Sequence, residues 1–200
     1  TYELLTSKIN IKQDVCWLLY YDIITKGLAV LSLVEDNFFG SAYPLCRGVL
    51  EMYFRLLVLD KNLEAARYYK LFMEFEIEQS CCSQKYPKEF MDLFEKRRKR
   101  EMKNKVDYLH YGWLDWVDGY HDTVKQAPYS MNGMIAYLKC NAPSKKRDEL
   151  SELEYFYKMC HGYTHGSVQG AIYPELHYFE ISIMLYHAIR NIFVMLCHKY

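Results

Sequence analysis

The chain of 200 residues carries 25 basic and 25 acidic side chains, so its formal net charge is zero, and 51% of its residues are hydrophobic. This composition excludes a disordered chain, and the neutral total argues against a dedicated nucleic-acid binder, because phosphate contacts dominate that affinity. The length suffices for one domain with a real core. Seven cysteines without a C-x-x-C pair favour a reduced, cytoplasmic setting.

The N-terminal half of the chain reads as helical throughout. Helices are predicted over residues 11–35, 41–61, 63–82 and 88–108, from apolar residues at helical spacing. Ser41 is expected to cap the second helix, and Pro44 suits its first turn. Asn62 is expected to cap the third helix.

The least regular stretch is residues 111–129, which we interpret as an ordered loop over the bundle; loops of this length are often functional. An exposed aromatic surface around its Trp113 and Trp116 is expected either to form a homodimer or to cap the core. Helices follow over residues 130–140, 144–165 and 175–198, the first of them capped by Ser130. The prediction is an all-α fold, with residues 1–200 forming a single bundle of about six or seven helices.

One stretch, residues 181–197, invites comparison with a membrane span. It has only 17 residues and contains His187 and Arg190, whereas a spanning helix needs about 20 mostly apolar residues. Charged residues within a span are also costly. We therefore predict a buried core helix and no membrane association.

Arg47 and Glu51 are the unusual feature of the second helix. Their spacing of four residues places both on one face, where they can pair. Because two charges in a central apolar helix are costly unless paired or used, we expect a buried polar pocket. Arg47 would bind a carboxylate or phosphate while Glu51 holds it in place. The alternative is a structural ion pair.

A second polar segment contains His161 and His165. Histidines four residues apart can chelate a metal from one helix face, although the H-E-x-x-H pattern is absent because Gly162 follows His161. Histidines satisfied by hydrogen bonds within the bundle are the alternative, and no cofactor is predicted. Cys46, beside Arg47, is a further candidate for a thiolate nucleophile paired with His165.

Seven basic residues lie in the ten that begin at Lys96 and end at Lys105. This basic run is consistent with a patch for an anionic partner such as nucleic acid. It is also typical of a solvated helix extension whose charges pair with the glutamates of the preceding helix. It has no aromatic interleaving of the kind that single-strand binding uses.

These segments resemble a family of uncharacterised bacterial helical proteins, a domain of unknown function. The resemblance rests on an R-x-x-x-E helix, an A-x-x-Y-like helix start and a later Y-x-x-x-C/S segment leading to H-x-S. The matching residues are Arg47 and Glu51, then Ala65 and Tyr68, then Tyr157, Cys160, His165 and Ser167. The candidate ligand-binding residues are Arg47, Glu51, Tyr157, His161, His165 and Ser167.

The predicted bundle is also similar in shape to the HEPN class, many of whose members are ribonucleases or nucleotide-binding modules in defence systems. Their R-x(4–6)-H signature is absent here, so such an activity would need Arg47 and His165 to meet from separate helices.

Three hypotheses follow for this chain. The first is a binding module that takes a small anionic or nucleotide-like ligand at Arg47, Glu51 and His165. The second is a HEPN-like ribonuclease in which His165 is the general acid or base and Arg47 stabilises the developing charge. The third is a metal site on His161 and His165. Whether the protein is an enzyme stays open at this stage.

Overall fold

The computed structural model describes residues 15–78, 88–103, 108–164 and 174–199. Within these ranges the chain forms nine α-helices, one 3-10 helix and no strand, so the all-α class is confirmed. The helices are α1 (Val15–Glu35), α2 (Phe39–Leu59), α3 (Leu63–Glu78), α4 (Lys88–Lys103), α5 (Tyr108–Tyr111), the 3-10 helix (Gly112–Trp116), α6 (Tyr120–Thr123), α7 (Met131–Cys140), α8 (Ser144–Thr164) and α9 (Pro174–Lys199).

Two compact units make up the chain. The first comprises Thr1–Leu56 with Ala142–Tyr200, and the second comprises Leu57–Asn141. Each unit has its own buried apolar residues. The single domain expected over residues 1–200 stays a prediction.

The core of the first unit is built around α2. Its side chains without solvent exposure are Tyr43, Cys46, Val49, Leu50, Tyr53, Phe54 and Leu56. The other helices of this unit add Trp17, Ile23 and Val30 from α1, Leu150 and Leu153 from α8, and Ile181 and Met184 from α9. This burial confirms that α2 is the central helix that its wide apolar surface predicted.

The beginning of α2 differs from the prediction. The helix starts at Phe39, so Ser41 lies inside the first turn and is not its N-cap, and Pro44 lies within the helix. The carbonyl of Phe38 closes this turn by accepting from the N–H groups of Ser41 and Ala42, both at 3.1 Å. Asn37 makes the reversal from α1 possible with a φ of 61°, a conformation that asparagine tolerates well.

Aromatic side chains fill the core of the second unit. The Phe72 ring packs edge-on against the rings of Phe94 and Tyr108, with centroids 5.4 and 5.7 Å away. The Tyr69 ring packs edge-on against Trp113 at 5.2 Å, and Trp113 has no exposure. The segment predicted as an irregular loop thus supplies core residues through the 3-10 helix and α6.

Two predicted helix caps have different outcomes. Ser130 is confirmed, because its Oγ accepts from the N–H of Gly133 at 3.1 Å at the start of α7. The Asn62 side chain is buried, and it forms hydrogen bonds other than the predicted cap of α3. Its Nδ2 donates to the Val58 carbonyl at 2.7 Å, and its Oδ1 accepts from the N–H of Asp118 at 3.3 Å. Asn62 therefore ties the end of α2 to the segment after the 3-10 helix.

Helix α1 is long and apolar enough to cross a membrane, judged by its length and composition. The sequence alone suggested residues 181–197, not α1, for comparison with a membrane span. Nine of the 21 residues of α1 are buried within the protein. The absence of membrane association stays a prediction.

Candidate functional site

Arg47 and Glu51 form the ion pair that their spacing predicted. The Arg47 Nε donates to Glu51 Oε1 at 2.9 Å, one helical turn along α2. Glu51 therefore holds one edge of the guanidinium. The predicted pairing of two charges four residues apart on one helix face is thus confirmed.

Tyr157 on α8, one of the candidate site residues, contacts this pair. Its hydroxyl donates to the same Glu51 Oε1 at 3.3 Å, and its ring lies 5.7 Å from the guanidinium carbon of Arg47. Phe54 supports the ring edge-on with centroids 6.5 Å apart. A cation held over an aromatic ring gains about 0.5–1 kcal/mol at a partly exposed position. These three residues, Arg47, Glu51 and Tyr157, are called the Arg47 cluster below.

The Arg47 cluster does not form the buried pocket that the sequence predicted. The side chain of Arg47 is 28% exposed and that of Glu51 is 20% exposed. The apolar face of α2 points elsewhere, and the two charges lie where that face meets solvent. Desolvation acts to lower the pKa of Arg47, but the hydrogen bond to Glu51 and the charges beside it raise that pKa overall. Arg47 is a permanent cation that a dissolved ligand can reach.

Beneath the cluster lie two buried thiols, Cys46 and Cys160, neither with any solvent exposure. Burial raises the pKa of the Cys46 thiol to about 12. Burial, and then the neighbouring Cys46, raise the pKa of Cys160 as well. Burial argues against Cys46 as a nucleophile, because the thiolate is the reactive form and burial disfavours it; His165, its expected partner, lies outside the described residues.

We expect iodoacetamide at pH 8 to modify Cys140, which is exposed, and to leave Cys46 and Cys160 unmodified in the folded protein. The physical reason is the burial of the two thiols and their small thiolate fraction. Mass spectrometry of the separate cysteine peptides measures this, with urea-unfolded protein as the control in which all three react. Labelling of Cys46 as fast as Cys140 would contradict it.

The histidine segment is only partly described. His161 is exposed near the end of α8. His165 and Ser167 lie outside the described residues, and so does the geometry of the proposed His161–His165 metal pair. In the parts of the chain that are described, no group of three or more His, Cys, Asp or Glu side chains is placed to hold a metal ion.

A second polar cluster, which the sequence reading missed, surrounds Asp115 in the second unit. The carboxylate is only 7% exposed. Its Oδ1 lies 2.8 Å from the Tyr129 hydroxyl and 2.7 Å from His121 Nε2. Its Oδ2 accepts from the Tyr108 hydroxyl at 2.9 Å and pairs with Arg97 at 3.3 Å. This set is called the Asp115 cluster below.

In the Asp115 cluster, four side chains surround the nearly buried carboxylate of Asp115 and satisfy its charge. Burial, and then the charge of Asp115, raise the pKa of Tyr108, so its hydroxyl stays protonated and donating. Arg97 belongs to the basic run. Its positive charge faces the interior of the second unit. The neighbouring Arg98 packs its guanidinium 5.9 Å from the Phe94 ring. Part of the basic run therefore holds this unit together.

The tryptophan surface is also different from the expectation. Trp113 is fully buried, and its indole N–H donates to the His110 carbonyl at 3.0 Å. Trp116 stacks on Tyr68 with centroids 3.7 Å apart. Trp113 therefore belongs to the core of its unit, and the homodimer expected at this surface stays a prediction.

The fold and the site define an all-helical protein with a partly exposed Arg47–Glu51 ion pair beside the buried Tyr157. The chain belongs to a family of unknown function, DUF5677, whose model matches residues 13–177. The match includes every residue named in the site. No curated protein and no solved structure matches the chain.

Proposed function

We propose that this protein binds a small anionic ligand, carrying a carboxylate or phosphate group as a nucleotide does, at the Arg47 cluster. Arg47 would contact the anion, Glu51 would orient Arg47, and Tyr157 would support the guanidinium. His161, His165 and Ser167 would complete the site from the segment that follows Tyr157. The observation that carries the proposal is a guanidinium that is held by Glu51 and still reachable from solvent.

The chemistry of the guanidinium supports this role. Arginine carries five N–H donors in a rigid fork that matches carboxylate and phosphate oxygens. Glu51 takes the Nε donor, and the terminal nitrogens are the ones that bind an anion in bidentate fashion. A pre-oriented arginine loses less conformational entropy on binding than a mobile one.

The competing role is an ion pair that only fixes the packing of α2 on α8. Exposed i, i+4 pairs contribute about 0.3–0.5 kcal/mol, and the Tyr157 hydroxyl adds one hydrogen bond. A purely structural cluster would lose this stability in a variant and gain none from any ligand. Ligand-dependent stabilisation therefore separates the two roles.

The test is a thermal-shift titration with inorganic phosphate and with adenosine monophosphate. Arg47→Ala is compared with Arg67→Ala, which removes an exposed arginine 3.3 Å from Glu64. We expect wild type and Arg67→Ala to gain about 2.7 kcal/mol at a ligand concentration a hundred times Kd. Arg47→Ala is expected to gain nothing at that concentration.

Equal stabilisation of all three proteins, or of none, would refute binding at Arg47. A parallel assay for cleavage of single-stranded RNA identifies the ribonuclease alternative, because cleavage that stops in a folded His165→Ala variant would make the site catalytic. Metal content of the purified protein, compared with that of His161→Ala, tests the third hypothesis.

A further inference from the structure

Helix α9 is apolar on two opposite faces. Its inner face consists of buried residues, which are Ile181, Met184, Leu185 and Ala188. Its outer face carries Phe179, Ile183, Tyr186 and Val194, which are 64%, 39%, 63% and 46% exposed. At 3.6 residues per turn the two sets lie about half a turn apart. An exposed apolar face opposite the buried one is a surface that a partner can cover.

The outer face borders a groove between α8 and α9. The groove has a volume of about 660 Å³, and its walls include Glu152, Phe156, Phe179, Ile183, Met184 and His187. Tyr155 on α8 and Tyr178 on α9 extend the apolar surface, with 69% and 57% exposure. Contiguous apolar surface with a polar margin marks interaction sites in soluble proteins.

We propose that this outer face of α9 binds the same face of a second copy of the chain, with the two helices antiparallel. Phe179, Ile183 and Tyr186 are spaced by four and three residues, as in a helix seam that packs against a partner helix. In a two-fold arrangement the same patch serves both partners. Ile183 then lies at the level of the partner's Tyr186, and the ridge of one helix enters the groove of the other.

The charges on α9 favour a second copy as the occupant. Glu180 lines the groove beside Phe179 and Ile183, and Arg190 lies further along the helix on the outer face, with 48% of its side chain exposed. An antiparallel pair centred between Ile183 and Tyr186 brings the partner's Arg190 to the level of Phe179 and Glu180. Two attractive contacts form by symmetry, whereas a parallel pair would place like charges together.

Arg190 also lies 4.0 Å from Glu149 within its own chain. At that distance the pair is a weak, partly solvated one. The guanidinium can therefore contact a partner's carboxylate or aromatic ring without breaking a strong internal bond.

The test is sedimentation equilibrium on the full chain at several concentrations. Wild type is expected to be a dimer that dissociates on dilution, and Ile183→Glu a monomer. Glu180→Arg and Arg190→Glu are each expected to raise the dimer Kd about tenfold or more, because like charges then meet twice. An equimolar mixture of these two single variants is expected to form heterodimers, since every cross-contact is then attractive.

Phe38→Glu is the matched control, because Phe38 is 60% exposed in the same unit but outside α9. It should leave dimerisation unchanged, and circular dichroism melts should show every variant folded. A wild type that stays monomeric at the highest concentration would overturn the proposal. So would a dimer that persists in Ile183→Glu, or single-charge variants whose mixture remains as weak as each alone.

Discussion

Asp115→Ala is expected to lower the free energy of unfolding by about 3–5 kcal/mol, because two buried tyrosine hydroxyls lose the acceptor they share. The substitution deletes the acceptor for Tyr108 and Tyr129, whose hydroxyls are then enclosed without that bond. Each unsatisfied buried donor costs about 1–3 kcal/mol. The Asp115→Ala substitution also leaves Arg97 and His121 without the carboxylate that holds them.

Urea unfolding followed by tryptophan fluorescence measures this effect, because Trp113 and Trp116 flank Asp115 in the sequence. The control is Asp122→Ala, which removes a carboxylate that is 94% exposed and 3.8 Å from Lys125. That change should alter stability by less than about 0.5 kcal/mol. Equal effects of the two substitutions would mean that the Asp115 cluster contributes no more than a surface ion pair.

Gly112→Ala is expected to destabilise the protein by about 1–3 kcal/mol or more, as overpacked cores do. A Cβ at this position would lie 2.6 Å from Phe72 Cε1, 2.7 Å from Phe72 Cζ and 2.8 Å from Tyr108 Cζ. Both rings are buried and pack against each other. Neither ring can move away without disturbing its neighbours, so the backbone of the 3-10 helix must shift.

Gly162→Ala is the matched control for this substitution. Gly162 lies in α8, is exposed, and has no heavy atom within 4 Å of an added Cβ among the described residues. Replacing a helical glycine there should stabilise by up to about 1 kcal/mol through backbone entropy. Thermal melts of the two variants should therefore move in opposite directions from wild type, and a Gly112→Ala melt at or above the wild-type value would contradict the packing described.

The sequence predicted the helices well where the signals are local. Apolar periodicity located α1 to α4, and Ser130 marked the start of α7, because both depend on residues within one or two turns. The pairing of Arg47 with Glu51 follows from the same short-range geometry. The start of α2 was misplaced because Ser41 and Pro44 are typical N-terminal residues, and here the Phe38 carbonyl opens the helix three residues before Ser41.

Long-range arrangements were the part that the sequence could not supply. The donors to Asp115 come from four separate places in the chain, and no spacing rule connects Arg97 or Tyr129 to that carboxylate. The density of tryptophan and aspartate marked residues 111–129 as unusual, but it did not identify Asp115 as the buried carboxylate. The burial of Arg47 was overestimated. An apolar helix face predicts which side of the helix packs on the core, but it does not predict how exposed each charged residue beside that face is.

The outer face of α9 shows the same limit. Its apolar residues read as a buried core helix because composition cannot distinguish a covered face from an exposed one. In the structure Phe179 and Tyr186 are more than half exposed. The second apolar face, which looked like ordinary core in the sequence, is the surface on which the proposed dimer rests.

The most direct test of the Arg47 site is an NMR titration of the arginine side-chain Nε–Hε signals with inorganic phosphate. The Arg47 signal is assigned by its disappearance in Arg47→Lys, and Arg67 serves as an internal reference on an exposed pair. We predict that the Arg47 signal moves and saturates while the Arg67 signal stays in place. An Arg47 signal that does not move, or that drifts linearly together with Arg67, would show that phosphate does not bind there.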